Sequence, residues 1–183
     1  MRRAVKWLVA LAVLPVLGGT AVVGFRVADT VFPPPLETPD VSTMVLDADG
    51  ALLRAFTVDG GRWRLPVAVA HVDQRFIDLL VAYEDQRFFT HHGVDPRAVA
   101  RAAGQALVNG RIVSGASTLT MQTVRLLTDN RSRTALRKLE EGFRAIQLER
   151  RLDKHEILAR YLLAAPYGGN IEGVRAASLA YFG

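Results

Sequence analysis

The chain has 183 residues, half of them apolar, a formal net charge of +5 and no cysteine. That length supports one hydrophobic core, and the missing cysteine excludes a disulfide framework and a thiolate zinc site. The positive excess lies in residues 97–160, where thirteen Lys and Arg face six Asp and Glu; without metal-ligand spacing or interleaved aromatics, its partner is phosphate at a membrane surface and not a nucleic acid.

Arg2, Arg3 and Lys6 precede an uncharged run of nineteen residues from Trp7 to Phe25. As a helix that run spans about 28 Å, near the thickness of a bilayer's hydrocarbon core. It exceeds the apolar region of a cleaved signal peptide, and no A-x-A site follows it. Residues 7–25 therefore read as an uncleaved anchor, with residues 1–6 a basic cytoplasmic tail and everything after Phe25 outside. Pro15 and the Gly18-Gly19 pair argue against a straight helix. A linker is expected over 26–40, where Phe32-Pro33-Pro34-Pro35 forms a stiff extended spacer. In the region 41–60, the β-branched and aliphatic runs Val41–Leu46 and Ala51–Val58 flank Asp47-Ala48-Asp49-Gly50, a hairpin with its turn.

From His71 onward the pattern is helical. Phe76, Leu79, Leu80 and Tyr83 recur at three and four residues and predict a helix running toward Phe89. After the interruption at His92-Gly93, Asp95 and Pro96 form a cap and first position for a second helix that ends at Asn109-Gly110. A loop through Ser114-Gly115-Ala116 leads to a third helix from about Ser117 to Leu127. A long helical stretch starts near Thr134 and reaches about Ala164, with a break near Asp153. Pro166-Tyr167-Gly168-Gly169-Asn170 reads as a turn before a last helical start. The fold class is mainly α with a small β element.

Two glutamates occupy positions that the helical pattern reserves for apolar side chains. Glu84 shares a row with Ile77, Leu80 and Phe88, and Glu141 with Ala145, Leu148 and Leu152. A carboxylate against apolar neighbours is poorly solvated, a setting suited to acid or base chemistry; at the edge of its stripe it would instead reach out to water. Arg137, Lys138 and Arg144 surround Glu141 at helical spacing. They form either local ion pairs or a site for a multiply charged anion such as a diphosphate, which Arg125 and Arg133 join if their helices converge. No G-x-S-x-G or S-x-x-K occurs, so a penicillin-reactive serine is absent from this chain. His91 and His92 have no partner at metal spacing and read as structural.

These pieces resemble the peptidoglycan glycosyltransferases of glycosyltransferase family 51. Residues 84–95, Glu-Asp-Gln-Arg-Phe-Phe-Thr-His-His-Gly-Val-Asp, match the first signature, E-D-x-x-F-x-x-H-x-G-x-D, at every fixed position. Residues 115–122 resemble the second, G-x-S-T-x-T-Q-Q. Residues 137–141 resemble the third, R-K-x-x-E, and residues 154–162 the fourth, K-x-E-I-x-x-x-Y-L-N. Met121 replaces a glutamine of the second signature, and Ala-Pro-Tyr-Gly-Gly follows the fourth; both are similar to the 1C branch of the class A penicillin-binding proteins. Leu163 stands at the usual asparagine, and the family's domain extends beyond the equivalent of Gly183.

The resemblance implies a lysozyme-like helical glycosyltransferase domain over 61–183, joining lipid II to a lipid-linked growing glycan by β-1,4 bonds with inversion. Glu84 would be the base that deprotonates the acceptor hydroxyl. Glu141, with Arg125, Arg133, Arg137 and Lys138 as diphosphate ligands and a divalent cation, Mg or Mn, would stabilise the leaving group. Asp85, Phe88, His91, Gly93, Ser117, Thr118 and Gln122 would shape the site. The implied location is the bacterial plasma membrane, with a transpeptidase domain or partner. The rival readings are a lytic or hydrolytic enzyme on the same fold and an inactive membrane-anchored fragment. The cations beside Glu141 weigh against the first, because the bond it would cut carries no phosphate.

Overall fold

The computed structural model describes residues 19–20, 22–109, 115–128 and 134–183. The chain divides into a unit up to Pro34 and a unit from Pro35 to Gly183. In the first, residues 22–31 form helix α1. Most of the expected anchor, residues 7–18 and 21, lies outside the described residues, and no described helix is long and apolar enough to cross a membrane. The helix continues past Phe25 through six residues assigned above to the linker. It stops just before Pro33, whose ring disfavours a helical conformation at Phe32.

The second unit is mainly helical with two small sheets. Strands β1 (Met44–Leu46) and β2 (Leu52–Ala55) pair antiparallel, as the hairpin pattern predicts. Asp47 Oδ1 accepts the amides of Asp49 and Ala51 at 2.9 and 2.7 Å, satisfying the turn with one side chain. The strands are shorter than the apolar runs, and Val45 and Leu46 are exposed.

The second sheet was not expected. Strand β3 (Trp63–Arg64) pairs in parallel with β5 (Ile171–Glu172), which pairs antiparallel with β4 (Pro166–Gly168). The segment read as a plain turn is thus a short hairpin that captures a dipeptide more than a hundred residues earlier. Its pairing is locked by charge: Glu172 accepts from Arg62 Nη1 at 3.0 Å and from Arg64 Nε at 2.9 Å.

Five of the six helices described in this unit pack around one core. Helix α2 (Gln74–Glu84) follows a 3-10 turn at Val69–His71 and is capped by Asp73, whose carboxylate accepts the Arg75 amide at 2.8 Å. It ends five residues before the expected Phe89. Asp85 leaves the helical conformation to point its carboxylate inward, and Phe88 then drops into the core, fully buried. Helix α3 (Pro96–Asn109) starts where Asp95-Pro96 predicts; Gly110, half of the expected stop, lies outside the described residues. Helix α4 (Leu119–Leu127) is capped by Thr118, and α5 (Ala135–Glu149) by Thr134.

The predicted long stretch breaks after Glu149, and α6 (Lys154–Ala164) restarts with a reciprocal capping box between Asp153 and Glu156, each bond 2.8 Å. Helix α7 (Val174–Phe182) closes the chain order. Helix α4 packs against α5 and α6, and Leu119, Val124, Leu148, Ile157, Leu158 and Leu162 join Phe88 in the core. A smaller cluster of Ala55, Leu65 and Ala176 lies under the sheets.

Candidate active site

Helix α2 delivers Glu84 as its last residue, half-buried, on the wall of a cleft of about 490 Å³. Gln122 Nε2, from α4, donates to Glu84 Oε2 at 2.8 Å. That bond fixes the carboxylate and leaves Oε1 for another donor. Asp85, Arg87, Arg97, Arg101, Ser117 and Thr118 line the same cleft. Its size is that of an ordinary small-ligand site.

The residue after Glu84 explains how the carboxylate is held. Asp85 is buried, and its Oδ2 accepts both the Leu119 amide and His91 Nε2 at 2.8 Å. It therefore ties the end of α2 to the start of α4, one turn before Gln122. His91 Nδ1 faces Glu149 Oε1 at 3.8 Å, and that oxygen takes Thr120 Oγ1 at 2.5 Å and Lys154 Nζ at 2.7 Å. Lys154 Nζ also stands 4.5 Å from the centre of the Phe88 ring, a cation over an aromatic face. Thr120, Glu149 and Lys154 were not nominated from the sequence; their link passes through three separate helices, which periodicity does not register.

Gly93 sets the depth of the following loop. Its φ is +87°, and a Cβ there would lie 2.6 Å from backbone atoms of Ala145 and Ile146 on α5. Thr118 Oγ1 donates to the Gly93 carbonyl at 2.5 Å and accepts the Met121 amide at 3.1 Å, so one hydroxyl caps α4 and clamps the loop. Phe88 lies beneath the cleft in the core and does not line it. Arg87 pairs with Asp95 across this loop, with a second bond from Nε at 2.9 Å; the two are eight residues apart, a spacing that helical reasoning does not link.

The cations expected around Glu141 are arranged differently from the sequence reading. Arg137 Nη1 and Arg144 Nη2 bond Glu140, at 2.7 and 2.9 Å, and not Glu141. Lys138 Nζ reaches across to the hydroxyl of Ser117, which joins the third signature to the second. Glu141 is half-buried and lines a small crevice with Val124, Thr128, Arg137 and Arg144. Glu84 thus lines the larger cleft and Glu141 the small crevice, and Lys138, from the helix of Glu141, reaches Ser117 on the wall of the Glu84 cleft. Arg133 lies outside the described residues.

Arg125 joins the Glu84 side through Tyr161, a residue of the fourth signature not nominated above. Burial pushes the Tyr161 phenol up to about 12, with the negative charges of Glu84 and Tyr167 adding and Arg125 opposing. The phenol is therefore a neutral neighbour of Glu84 at physiological pH. No group of three or more His, Asp or Glu among the described residues forms a metal cage. A hard divalent cation bound through one or two carboxylates and substrate phosphates needs none, and Glu140 and Glu141 are the carboxylates beside the candidate phosphate ligands.

The family described as Transglycosylase matches residues 49–183. Penicillin-binding protein 1C of Escherichia coli (strain K12) is 46% identical over 156 residues, which are 85% of this chain and 20% of that protein. Penicillin-binding protein 1A of the same organism is 38% identical over 157 residues, 80% of this chain and 18% of that protein. Penicillin-binding protein 2D of Bacillus subtilis (strain 168) is 37% identical over 150 residues, 82% of this chain and 21% of that protein. The chain spans about a fifth of the length of these relatives.

Proposed function

The chain belongs to the transglycosylase family, and on that premise we propose that it is a peptidoglycan glycosyltransferase that polymerises lipid II into β-1,4 glycan strands. The observation that carries the reading is Glu84: a half-buried carboxylate, fixed by Gln122 on one oxygen, on the wall of a cleft that cationic side chains line. In this reading the free oxygen of Glu84 takes the proton of the acceptor sugar's 4-hydroxyl as that oxygen attacks the donor's anomeric carbon. The new C1–O4 bond forms on the face opposite the departing phosphate oxygen, which inverts the centre, and undecaprenyl diphosphate leaves with the electrons of the broken C–O bond.

Arg125, Arg137 and Lys138, with Arg133, are the proposed ligands of the leaving diphosphate, and preorganised cations of this kind act where charge develops. The bond of the exposed Arg137 to Glu140 is worth about 0.2–1 kcal/mol, so a diphosphate recruits this guanidinium at little cost; Arg144, half-buried, bonds the same carboxylate. A divalent cation, Mg or Mn, held by Glu141 and the phosphates would supply Lewis-acid stabilisation of the same group. Ser117 holds the Lys138 ammonium, and Asp85, His91, Gly93 and Thr118 hold the backbone that carries Glu84 and Gln122. A lysozyme-like arrangement of the helices, an N-terminal anchor in the plasma membrane, the lipid-linked growing glycan and a transpeptidase partner complete the proposal.

The experiment is conversion of labelled lipid II in detergent, with products resolved by size, by the parent chain and by Glu84→Gln. The amide keeps the shape and the bond to Gln122 but cannot take the proton. Polymerisation is expected to fall by about 10²–10⁴, while lipid II affinity stays within threefold. Loss of binding in Glu84→Gln would make Glu84 a structural residue, and shortening of added glycan strands by the parent would replace synthesis by cleavage.

A further inference from the structure

One buried ion pair has no part in the chemistry above. Glu149 and Lys154 meet at 2.7 Å across the break between α5 and α6, with side chains 4% and 19% exposed. Each stands at the helix end that disfavours its charge. Glu149 is the last residue of α5, where the free carbonyls repel an anion, and Lys154 is the first of α6, where the free amides repel a cation. Exchanged, the two charges would suit both helices. A buried pair is moreover a weak source of stability, because neutral residues of similar volume often serve as well or better. Departures from local preference of this kind gather at functional sites.

What the pair touches leads to Glu84. Glu149 Oε1 takes the Thr120 hydroxyl at 2.5 Å, and Asp85 Oδ2 takes the amide of the preceding residue, Leu119, at 2.8 Å. Two carboxylates, one from the end of α2 and one from the end of α5, thus grip consecutive residues in the first turn of α4, the end of a helix that attracts anions. His91 stands between them, with Nε2 2.8 Å from Asp85 and Nδ1 3.8 Å from Glu149. Gln122, the donor to Glu84, closes the same turn. Asp85 alone pins one point of that turn, about which α4 can pivot. Glu149 supplies the second, and Lys154, bonded to the same oxygen, holds it in place.

We infer that the Glu149–Lys154 pair positions the base: by fixing the first turn of α4 it keeps Gln122 on Glu84. The inference rests on the polymerase reading of Glu84. Glu149 and Lys154 are positioning residues, for they act through Thr120 and Gln122 and touch no atom whose bonds change.

The test is lipid II conversion by this chain in detergent, with kcat and KM resolved, beside urea denaturation and the NMR signal of the Gln122 side-chain amide, identified by its loss in Gln122→Ala. In Glu149→Gln/Lys154→Met the charges go and the volumes stay. Its kcat is expected to fall about 10–100-fold, with KM for lipid II within about twofold of the parent's and a urea midpoint no lower. Its Gln122 signal should move to the position found in Glu84→Ala. Added to Gln122→Ala, the same two substitutions should change kcat by less than about twofold, because the contact they act through is already gone. Thr120→Val leaves the ion pair in place and removes only its grip on α4; it should lower kcat in the same way, and it carries the test if the neutral pair does not fold. Parent kcat in Thr120→Val or in a folded neutral pair overturns the inference, as do losses that multiply with that of Gln122→Ala. A lower kcat with reduced stability and an unmoved Gln122 signal makes the pair structural and overturns it too. No polymer from the parent removes the polymerase reading, and the Gln122 signal then decides alone: displaced in the variants it retains the positioning role, unmoved it removes that role.

Discussion

Gly93→Ala tests whether the first-signature loop is positioned by backbone contact with α5. The substitution meets two separate penalties. Gly93 has φ +87°, and an L residue in the left-handed region costs about 1–2 kcal/mol. The new methyl would also start 2.6 Å from Ala145 C and Ile146 N and 2.7 Å from Ala145 O; these are helix backbone atoms that cannot rotate away. Overpacking of that kind costs about 1–3 kcal/mol, for a total of about 2–5 kcal/mol. At roughly 3 °C per kcal/mol for a unit of this size, the melting temperature should fall by about 6–15 °C.

The opposite side of the same contact provides the control. Gly142 lies in α5, and a Cβ there would meet Val94 Cγ2 at 3.5 Å and Met121 Cε at 3.9 Å, ordinary contact distances. Gly142→Ala should therefore stabilise by up to about 1 kcal/mol, because alanine is the better helix residue. Urea denaturation of the parent and both variants, compared at equal m values, makes the measurement. Activity should follow stability in a specific way: the Gly93 carbonyl accepts from Thr118, so displacement of the loop reaches α4 and loosens the Gln122–Glu84 bond. A Gly93→Ala chain within 1 kcal/mol of the parent would refute the claim that this glycine is required by close approach.

Three further outcomes are expected. Gln122→Ala removes the donor to Glu84; a hydrogen bond to a charged group is worth about 1.5–3 kcal/mol, so kcat should drop about 10–100-fold with lipid II affinity retained, measured in the polymerisation assay. The Tyr161 phenol, raised from 10.0 to about 12, favours the folded state while it is protonated. Stability from this group is fully present below pH 10 and is lost as the pH rises through the window from 10 to about 12. In Tyr161→Phe that loss should be smaller, and ultraviolet titration of the phenols should lose its highest step. Asp153→Ala breaks the capping box of α6 and should cost about 1 kcal/mol by denaturant unfolding, without a change in KM.

Much of the site was legible because signatures and helix signals are local. Asp95-Pro96, the break near Asp153 and the Asp47–Gly50 turn all act through neighbours within four residues, and each appears where the pattern puts it. Glu84 stood out for the same reason, as a charge on an apolar helical row. Glu141 stood out too, but Arg137 and Arg144 pair with Glu140 and Lys138 with Ser117; two acids adjacent in sequence offer nearly equal reach to the same arginines, so spacing alone does not choose between them.

The sequence by itself determined the helices, the first hairpin and the identity of the charged groups, through hydrogen bonds and periodicities that a short stretch of chain already contains. The tertiary structure decided the rest. The capture of Trp63-Arg64 by Ile171-Glu172, the burial of Phe88 past the end of α2 and the Asp85–Leu119, Gln122–Glu84 and Lys138–Ser117 bonds all depend on residues many positions apart. Such contacts depend on which helix faces meet once apolar surface leaves water, and nothing in the local chain encodes that choice.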